Sequence, residues 1–261
     1  MRLVPMADRA LVARVHRAEL LKFILPRAVV HGVQGGEMFV GENGPAPWAL
    51  VVNRFGFAQC LGQPDVPELI SAITEGTALR ERYLLWYDAP QAVVGALRAL
   101  DLKGFKERTR VRYDPWSGEP SRLQAILDGP PENLRCVPLT NDLLPACEVF
   151  GLHLTSRFWD SEEDLLAKAG AQVLLHDGSP AAICYAAAVA GSEAELDVVT
   201  LPDQRGKGVA KAVCAAFMLG MHRKGIRVVW DAFAANEAST RSALSLGFVE
   251  RVRYTFTTFA T

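Results

Sequence analysis

Glu195 and Asp197 stand two positions apart beside a β-branched run, Leu196-Asp-Val-Val-Thr200, that leads through Leu201-Pro-Asp-Gln204 into Arg205-Gly206-Lys207-Gly208. Side chains alternate between the two faces of a strand, so Glu195, Asp197 and Val199 share one face and Leu196, Val198 and Thr200 the other. A carboxylate placed this way can take a proton from an amine, directly or through water, and can attract the amine while it is still cationic. The bland alternative is that both carboxylates simply face solvent at the sheet surface. The turn that follows suits a different ligand. Two glycines let the backbone approach a ligand closely, and the N–H groups of a helix start, with the positive end of its dipole, favour an anion. Gly206 and Gly208, with Arg205 and Lys207 interleaved, therefore read as a phosphate cradle. The dinucleotide fingerprint G-x-G-x-x-G and the P-loop G-x-x-x-x-G-K-[ST] both fail to fit this segment.

Those residues need elements to hold them. In the carboxyl half the pattern predicts a strand at 134–139, helices near 141–150 and 160–169, hairpin strands at 171–177 and 181–189, and the carboxylate strand at 194–200. A cradle helix over about 207–224 follows, then a strand at 226–231, a helix at 236–245 and closing strands around 248–259. In the amino half, strands near 37–41, 48–53, 57–61 and 83–87 alternate with helices near 66–79 and 90–100, and Arg108 to Tyr113 closes the set. Asp114 to Pro131, rich in Pro, Gly and Asp, reads as the linker, giving an amino-terminal α/β domain at 1–130 and a second domain at 131–261.

A second segment narrows the reading. Trp230-Asp231 ends a strand, and Asn236-Glu-Ala-Ser239 opens a helix that closes on Leu244-Ser-Leu-Gly247-Phe248, with Gly247 at the position where a left-handed C-cap costs least. With the Gly206/Gly208 turn, this resembles the GNAT superfamily of acyl-CoA N-acyltransferases. Its pyrophosphate turn follows [Q/R]-x-x-G-x-[G/A], and its later motif is Asn-x-x-[Ala/Ser] opening a helix that ends in Leu-Gly-Phe. Gly206 and Gly208 match the turn, while Asp203 stands where Gln or Arg is usual. Trp230-Asp231, Phe158-Trp159-Asp160-Ser161 and Ile183-Cys184-Tyr185 are similar to the subgroup typified by zwittermicin A resistance acetyltransferases. The resemblance covers roughly residues 135–261.

What the resemblance implies is specific. The fold would be mixed α/β, a splayed sheet flanked by helices, and the amino half would be a decayed copy of it without the cradle. Acetyl-CoA would be the cosubstrate, wedged where the strands at 194–200 and 226–231 part. Backbone groups of Val198, Val199 and Thr200 would polarise the thioester, and Arg205, Gly206, Lys207, Gly208, Val209 and Ala210 would hold the pyrophosphate. Asn236 would bond the pantetheine arm with Ser239 beside it, although an Asn is also a good plain N-cap. Glu195 is the favoured base and Asp197 the second. Many relatives protonate the leaving thiolate with a Tyr where this chain has Ala243, so Ser239, Ser242, Tyr254 and solvent are the remaining donors. Arg157, Phe158, Trp159 and Asp160 fall in a region that walls the acceptor site in relatives; for Phe158 and Trp159 the commoner fate of aromatics is a place in the core.

Composition sets outer limits. The chain has 261 residues, half of them apolar, and a formal charge of −1 with its cations dispersed, so it carries no electrostatic footprint for a nucleic acid. Cys60, Cys136, Cys147, Cys184 and Cys214 are odd in number and lack paired metal-type spacing, which reads as reduced thiols of a cytoplasmic protein. His31, His153, His176 and His222 show no zinc or triad spacing, and no metal is expected. Arg9 to Ile24 reads as an amphipathic helix and not a transit peptide, because Asp8 and Glu19 interrupt its positive charge. Val173 to Val189 is apolar but broken at His176-Asp-Gly-Ser-Pro180, hence a hairpin and not a membrane span. The expected activity is acetyl transfer to the primary amine of a small molecule, an antibiotic or an amino-acid-like metabolite; a homodimer is compatible with the sequence. Two other readings fit the same residues: an acyl-CoA-binding regulator without turnover, and a protein N-acetyltransferase.

Overall fold

The computed structural model describes residues 2–4, 22–41, 43, 48–74, 83–129 and 133–260. In chain order the elements are β1 (Arg2–Val4), α1 (Ile24–Val30), β2 (Gly36–Gly41), β3 (Trp48–Asn53), β4 (Phe57–Leu61), α2 (Val66–Thr74), β5 (Tyr83–Tyr87), α3 (Gln91–Ala99), β6 (Lys106–Tyr113) and α4 (Pro120–Leu127). They continue with β7 (Leu134–Pro138), α5 (Leu144–Cys147), α6 (Leu154–Arg157), α7 (Glu162–Lys168), β8 (Gln172–His176), β9 (Ser179–Ala190) and β10 (Glu193–Thr200). After β10 come α8 (Val209–Arg223), β11 (Arg227–Val229), β12 (Asp231–Phe233), α9 (Glu237–Leu246) and β13 (Glu250–Ala260). Positions 9–21 of the amphipathic helix expected from Arg9 fall outside the described residues; Lys22 and Phe23 precede α1, which Ile24 opens.

Two compact units emerge: residues 1–110 with 253–261, and residues 111–252. The chain crosses between them inside β6 and inside β13, so the boundary does not lie at the expected 130/131. The segment taken for a linker belongs to the second unit. It contains α4, whose Pro120 sits in the first turn and pre-sets the helix rather than breaking it. Leu123 buries that helix's apolar side, and the nearby Trp116 Nε1–H donates to the Leu246 carbonyl at 3.0 Å.

In the first unit β1, β2, β3 and β4 pair antiparallel in sequence order, and β5 pairs parallel with β4 after the α2 crossover. Every residue of β3 is buried, which is why it reads as the unbroken apolar run Trp-Ala-Leu-Val-Val. β13 runs antiparallel to β5 on its other side. An aromatic cluster forms there: Phe23 stacks on Tyr87 with centroids 4.3 Å apart, and the Arg110 guanidinium lies 4.9 Å from the Phe256 ring centre.

The second unit repeats that connection order. β7, β8, β9 and β10 pair antiparallel in sequence, and β11 pairs parallel with β10 after the α8 crossover. α8 is apolar nearly all round and is buried accordingly, with Val213, Cys214, Phe217 and Met221 in the core. The alanines of β9 are buried as well. Mixed sheets with flanking helices thus match the expected fold class. Among the described residues no helix is long and apolar enough to cross a membrane.

Candidate active site

The parallel pair β10–β11 is short. Glu193 lies opposite Arg227, Ala194 opposite Val228 and Glu195 opposite Val229, and there the pairing stops. Beyond Val229 the chain turns away, the Trp230 carbonyl accepting from the Tyr113 N–H at 3.0 Å, and continues as β12. β10 meanwhile runs on to Thr200 with β9 on one edge and a gap on the other. Which backbone groups face the gap follows from alternation. The Leu201 N–H donates to the Ala181 carbonyl of β9 at 3.0 Å, so Val199 and Asp197 also turn their N–H groups toward β9, while Leu196, Val198 and Thr200 turn theirs to the opposite edge, Leu196 at the end of the β11 pairing and the other two into the gap. Val198 and Thr200 are therefore placed to donate into the gap. Val199, included among the expected donors, is not, because its N–H belongs to the β9 ladder.

A short 3₁₀ turn, Pro202–Gln204, carries β10 into the cradle. Gly206 and Gly208 have φ of 77° and 78°, a region that L side chains avoid, and a Cβ built on either would meet nothing within 4 Å. Both glycines thus line open space rather than packing against the protein. Gly208 is the N-cap of α8, with no side-chain cap and no acidic residue in the first turn. The first intrahelical bond there runs from the Ala212 N–H to the Gly208 carbonyl at 3.1 Å, so the N–H groups of Val209, Ala210 and Lys211 precede it. Val209 buries its side chain in the core and can offer only backbone; Arg205 and Lys207 are exposed. Because the helix starts at Val209, the pattern [Q/R]-x-x-G-x-[G/A] is met in full two residues later than expected, by Arg205, Gly208 and Ala210. Asp203 is then no departure. It accepts from Gln204 Nε2 at 2.8 Å, and the Gln204 Oε1 is held by His176 Nδ1 at 2.8 Å and by Lys207 Nζ at 3.4 Å, which ties the lip of the cradle to the end of β8.

The two carboxylates differ in surroundings. Glu195 is 4% exposed and sits at the last paired position of the parallel ladder. A bulge in β9 lies against it: Glu195 faces Ala188 but Leu196 faces Ala186. Trp159 packs at that bulge, its Nε1–H donating to the Ala186 carbonyl at 3.0 Å, so Trp159 is core. Asp197 lies past the bulge, directly opposite Tyr185, whose hydroxyl donates to Asp197 Oδ2 at 2.9 Å. Burial first, and then the Asp197 charge, push the Tyr185 phenol well above its ordinary range, so it remains a donor. The Arg157 guanidinium stands 3.7 Å from the same Oδ2 and lies over the Phe158 ring at 5.1 Å. This Arg157–Asp197–Tyr185 set was not legible beforehand. Each residue sits in a segment with its own signal, but only the register across β9 and β10 brings them together.

The second motif is more self-contained. Asn236 caps α9, its Oδ1 accepting from the Ser239 N–H at 3.1 Å, and the Ser239 hydroxyl oxygen accepts from Trp230 Nε1 at 3.0 Å. At the other end Gly247 adopts φ 93° and the Phe248 N–H donates to the Ala243 carbonyl at 3.1 Å, the expected left-handed cap. Of the residues considered as proton donors, Ser242 gives its hydroxyl proton to the Ala238 carbonyl at 2.9 Å, and Tyr254 packs at 4.8 Å on Phe23 in the first unit. Ala243 is fully buried. The five cysteines are free; burial raises the Cys136 and Cys147 thiols to about 11. Among the described residues no group of three His, Cys, Asp or Glu side chains could hold a metal ion.

Splayed parallel strands, with an uncapped glycine-led helix start at the end of one of them, define the mixed α/β class to which the sequence pointed. The profile of the GNAT acetyltransferase family matches residues 22–257, and the chain belongs to that family. It is similar to the uncharacterized N-acetyltransferase YdfB of Bacillus subtilis (strain 168), 26% identical over 146 residues, a stretch covering 56% of each protein. The match thus spans about half the length of that relative. Among solved structures it is similar to a GCN5-related N-acetyltransferase-like protein from Streptococcus suis 89/1591, with a TM-score of 0.74, 22% identity and coverage of 98% of this chain and 100% of that one. A GCN5-related N-acetyltransferase from Kribbella flavida gives a TM-score of 0.63 at 15% identity, covering 93% and 95%. At these identities the structures speak to the fold.

Proposed function

We propose that the protein is an acetyl-CoA-dependent N-acetyltransferase that acts on the primary amine of a small molecule, by direct attack in a ternary complex. The observation that carries this is the unpaired edge of β10, where two outward N–H groups, those of Val198 and Thr200, follow directly after the carboxylate-bearing Asp197. Bound acetyl-CoA would supply an activated thioester carbonyl. The open start of α8 suits its pyrophosphate: Gly206 and Gly208 leave room for it, the backbone N–H groups of Val209, Ala210 and Lys211 precede the first intrahelical bond and can donate to it, and Arg205 and Lys207 add charge. Asn236, already engaged as a cap, has its amide nitrogen to offer the pantetheine arm, with Ser239 beside it.

Val198 and Thr200 stabilise the negative charge that develops on the carbonyl oxygen, because their donors are fixed before the reaction begins. Asp197 accepts the proton of the attacking amine. It is preferred to Glu195 because its side chain is 27% exposed whereas Glu195 is almost wholly enclosed. Tyr185 orients Asp197 and keeps its own proton. Solvent protonates the leaving thiolate, since Ala243 cannot. The acceptor expected from the subgroup resemblance is an antibiotic or an amino-acid-like metabolite.

The test is release of free CoA thiol from acetyl-CoA across primary amines, aminoglycosides, amino acids, polyamines and lysine peptides. Release with a small amine supports the reading. Release only with lysine peptides would make it a protein acetyltransferase, and none at all, with acetyl-CoA still binding in calorimetry, would make it an acyl-CoA-binding regulator.

A further inference from the structure

The charge pair beside the gap restricts the acceptor more than its amine alone does. Asp197 and Arg157 are both partly open, with 27% and 29% of their side chains exposed, and 3.7 Å separates Arg157 Nη2 from Asp197 Oδ2. That distance is too long for a hydrogen bond, so the attraction between the two is Coulombic and the pair itself is not locked by a directional bond. Each partner is also fixed by something other than the pair. Tyr185 holds Oδ2 at 2.9 Å, and the guanidinium rests on the Phe158 ring. The site therefore presents a positioned anion and a positioned cation side by side. Asp197 Oδ1, on the other side of that carboxylate, is left for an ammonium.

We infer that the acceptor is a zwitterion: an amine with a carboxylate one or two carbons away, the ammonium docking on Asp197 and the carboxylate on Arg157. The argument is one of repulsion as much as attraction. A simple cationic amine that reaches Asp197 must sit within a few ångströms of the Arg157 charge, and such like-charge juxtaposition disfavours it. A carboxylate on the same molecule removes that cost and adds a fork-shaped contact that guanidinium suits. Polyamines and aminoglycosides, which bring only positive charge, are selected against by the same residue. Arg157 acts here as a specificity residue, and Asp197 serves first as the counter-ion and then as the base. This inference rests on the acetyl-transfer reading.

The experiment compares matched acceptors on the full chain: an amino acid, its methyl ester and its decarboxylated amine, each followed by thiol release. The free acid is expected to exceed both others in kcat/KM by about tenfold or more. Arg157→Gln is expected to erase that preference while leaving the KM for acetyl-CoA unchanged, and Arg157→Lys to restore part of it. Equal rates for acid, ester and amine in the unaltered protein would overturn the inference without any variant. A preference that survives Arg157→Gln would overturn the role of Arg157. Acetylation of cationic amines alone sinks the zwitterion and leaves acetyl transfer standing, whereas no thiol release from any acceptor sinks both.

Discussion

The two units contain the same junction built with opposite chemistry. In each, a strand that follows an antiparallel run leads into a helix, and the strand after that helix pairs parallel with it for only two or three residues: Phe57 and Ala58 with Leu85 and Trp86 in one unit, Glu193 to Glu195 with Arg227 to Val229 in the other. At the start of α2 the Asp65 carboxylate accepts from the Glu68 N–H at 2.9 Å, and Glu68, itself in the first turn, accepts from the Asn43 N–H at 3.2 Å. Negative charge already sits on that helix start, and the Glu68 N–H is used within the chain. At the start of α8 there is no capping side chain and no acid, only Gly208. The strands differ in parallel: β4 reads Phe-Ala-Gln-Cys-Leu, without a carboxylate, whereas β10 carries Glu193, Glu195 and Asp197. On the proposed reading, a shared backbone route makes an anion site only where the sequence leaves out a cap, and a reaction site only where the strand also supplies an ionisable group.

The largest expected break in this comparison is removal of the strand's charge. Asp197→Asn makes β10 more like β4 at that position and keeps an acceptor for the Tyr185 hydroxyl, so the local packing survives. Turnover should fall by about 10²–10⁴, the range for loss of a general base, while acetyl-CoA affinity measured by calorimetry stays close to the unaltered value. A rate within a factor of about three of the original would remove Asp197 as base and return the role to Glu195. Next in size is Gly208→Trp, which fills the cradle. Since the backbone there is left-handed and the space beside it is open, the indole must occupy the ligand's volume, and acetyl-CoA affinity should drop by about 100-fold or more. Undiminished binding by a folded variant would show that the anion site lies elsewhere.

Much of this site could be read before any coordinates. The alternating carboxylates and β-branched residues of 193–200, the glycine-led helix after them, and the Asn236 and Gly247 ends of α9 are local patterns, and local patterns survive translation into structure. What escaped depends on pairing across the sheet. The bulge in β9, the opposition of Tyr185 to Asp197, and the turning of the Val199 N–H toward β9 are properties of register, which no single segment contains. α4 escaped for a different reason: with Pro120 at its head, two residues after Gly118, and only Leu123 buried, it has the composition of a loop. The unit boundary was misplaced because the chain crosses it within strands, where composition does not change.

A finer probe makes one junction resemble the other without filling it. Ala210→Glu places a carboxylate in the first turn of α8, as Glu68 is placed in α2. The added charge should stabilise the free protein by a few tenths of a kcal/mol through the helix dipole, and weaken acetyl-CoA binding by roughly five- to tenfold through repulsion of its phosphates. The opposite signs are the test. A variant that loses both stability and affinity has merely been damaged, and one that loses neither would show that the dipole end of α8 does not meet the ligand.

The smallest effect is expected from the converse change. Asp65→Ala uncaps α2 and should cost about 1 kcal/mol of stability, seen as a lowered Tm, because the Glu68 N–H then loses its partner. It should create no second acetyl-CoA site. Uncapping alone leaves Glu68 in the first turn and Pro67 without an N–H, so the start of α2 still repels an anion and still lacks one of the donors that α8 offers. A stoichiometry of one in calorimetry, unchanged from the parent, is the expected result. Two equivalents bound would mean that an empty cap suffices to make the site, and that the glycines of the cradle matter less than the charge they leave out.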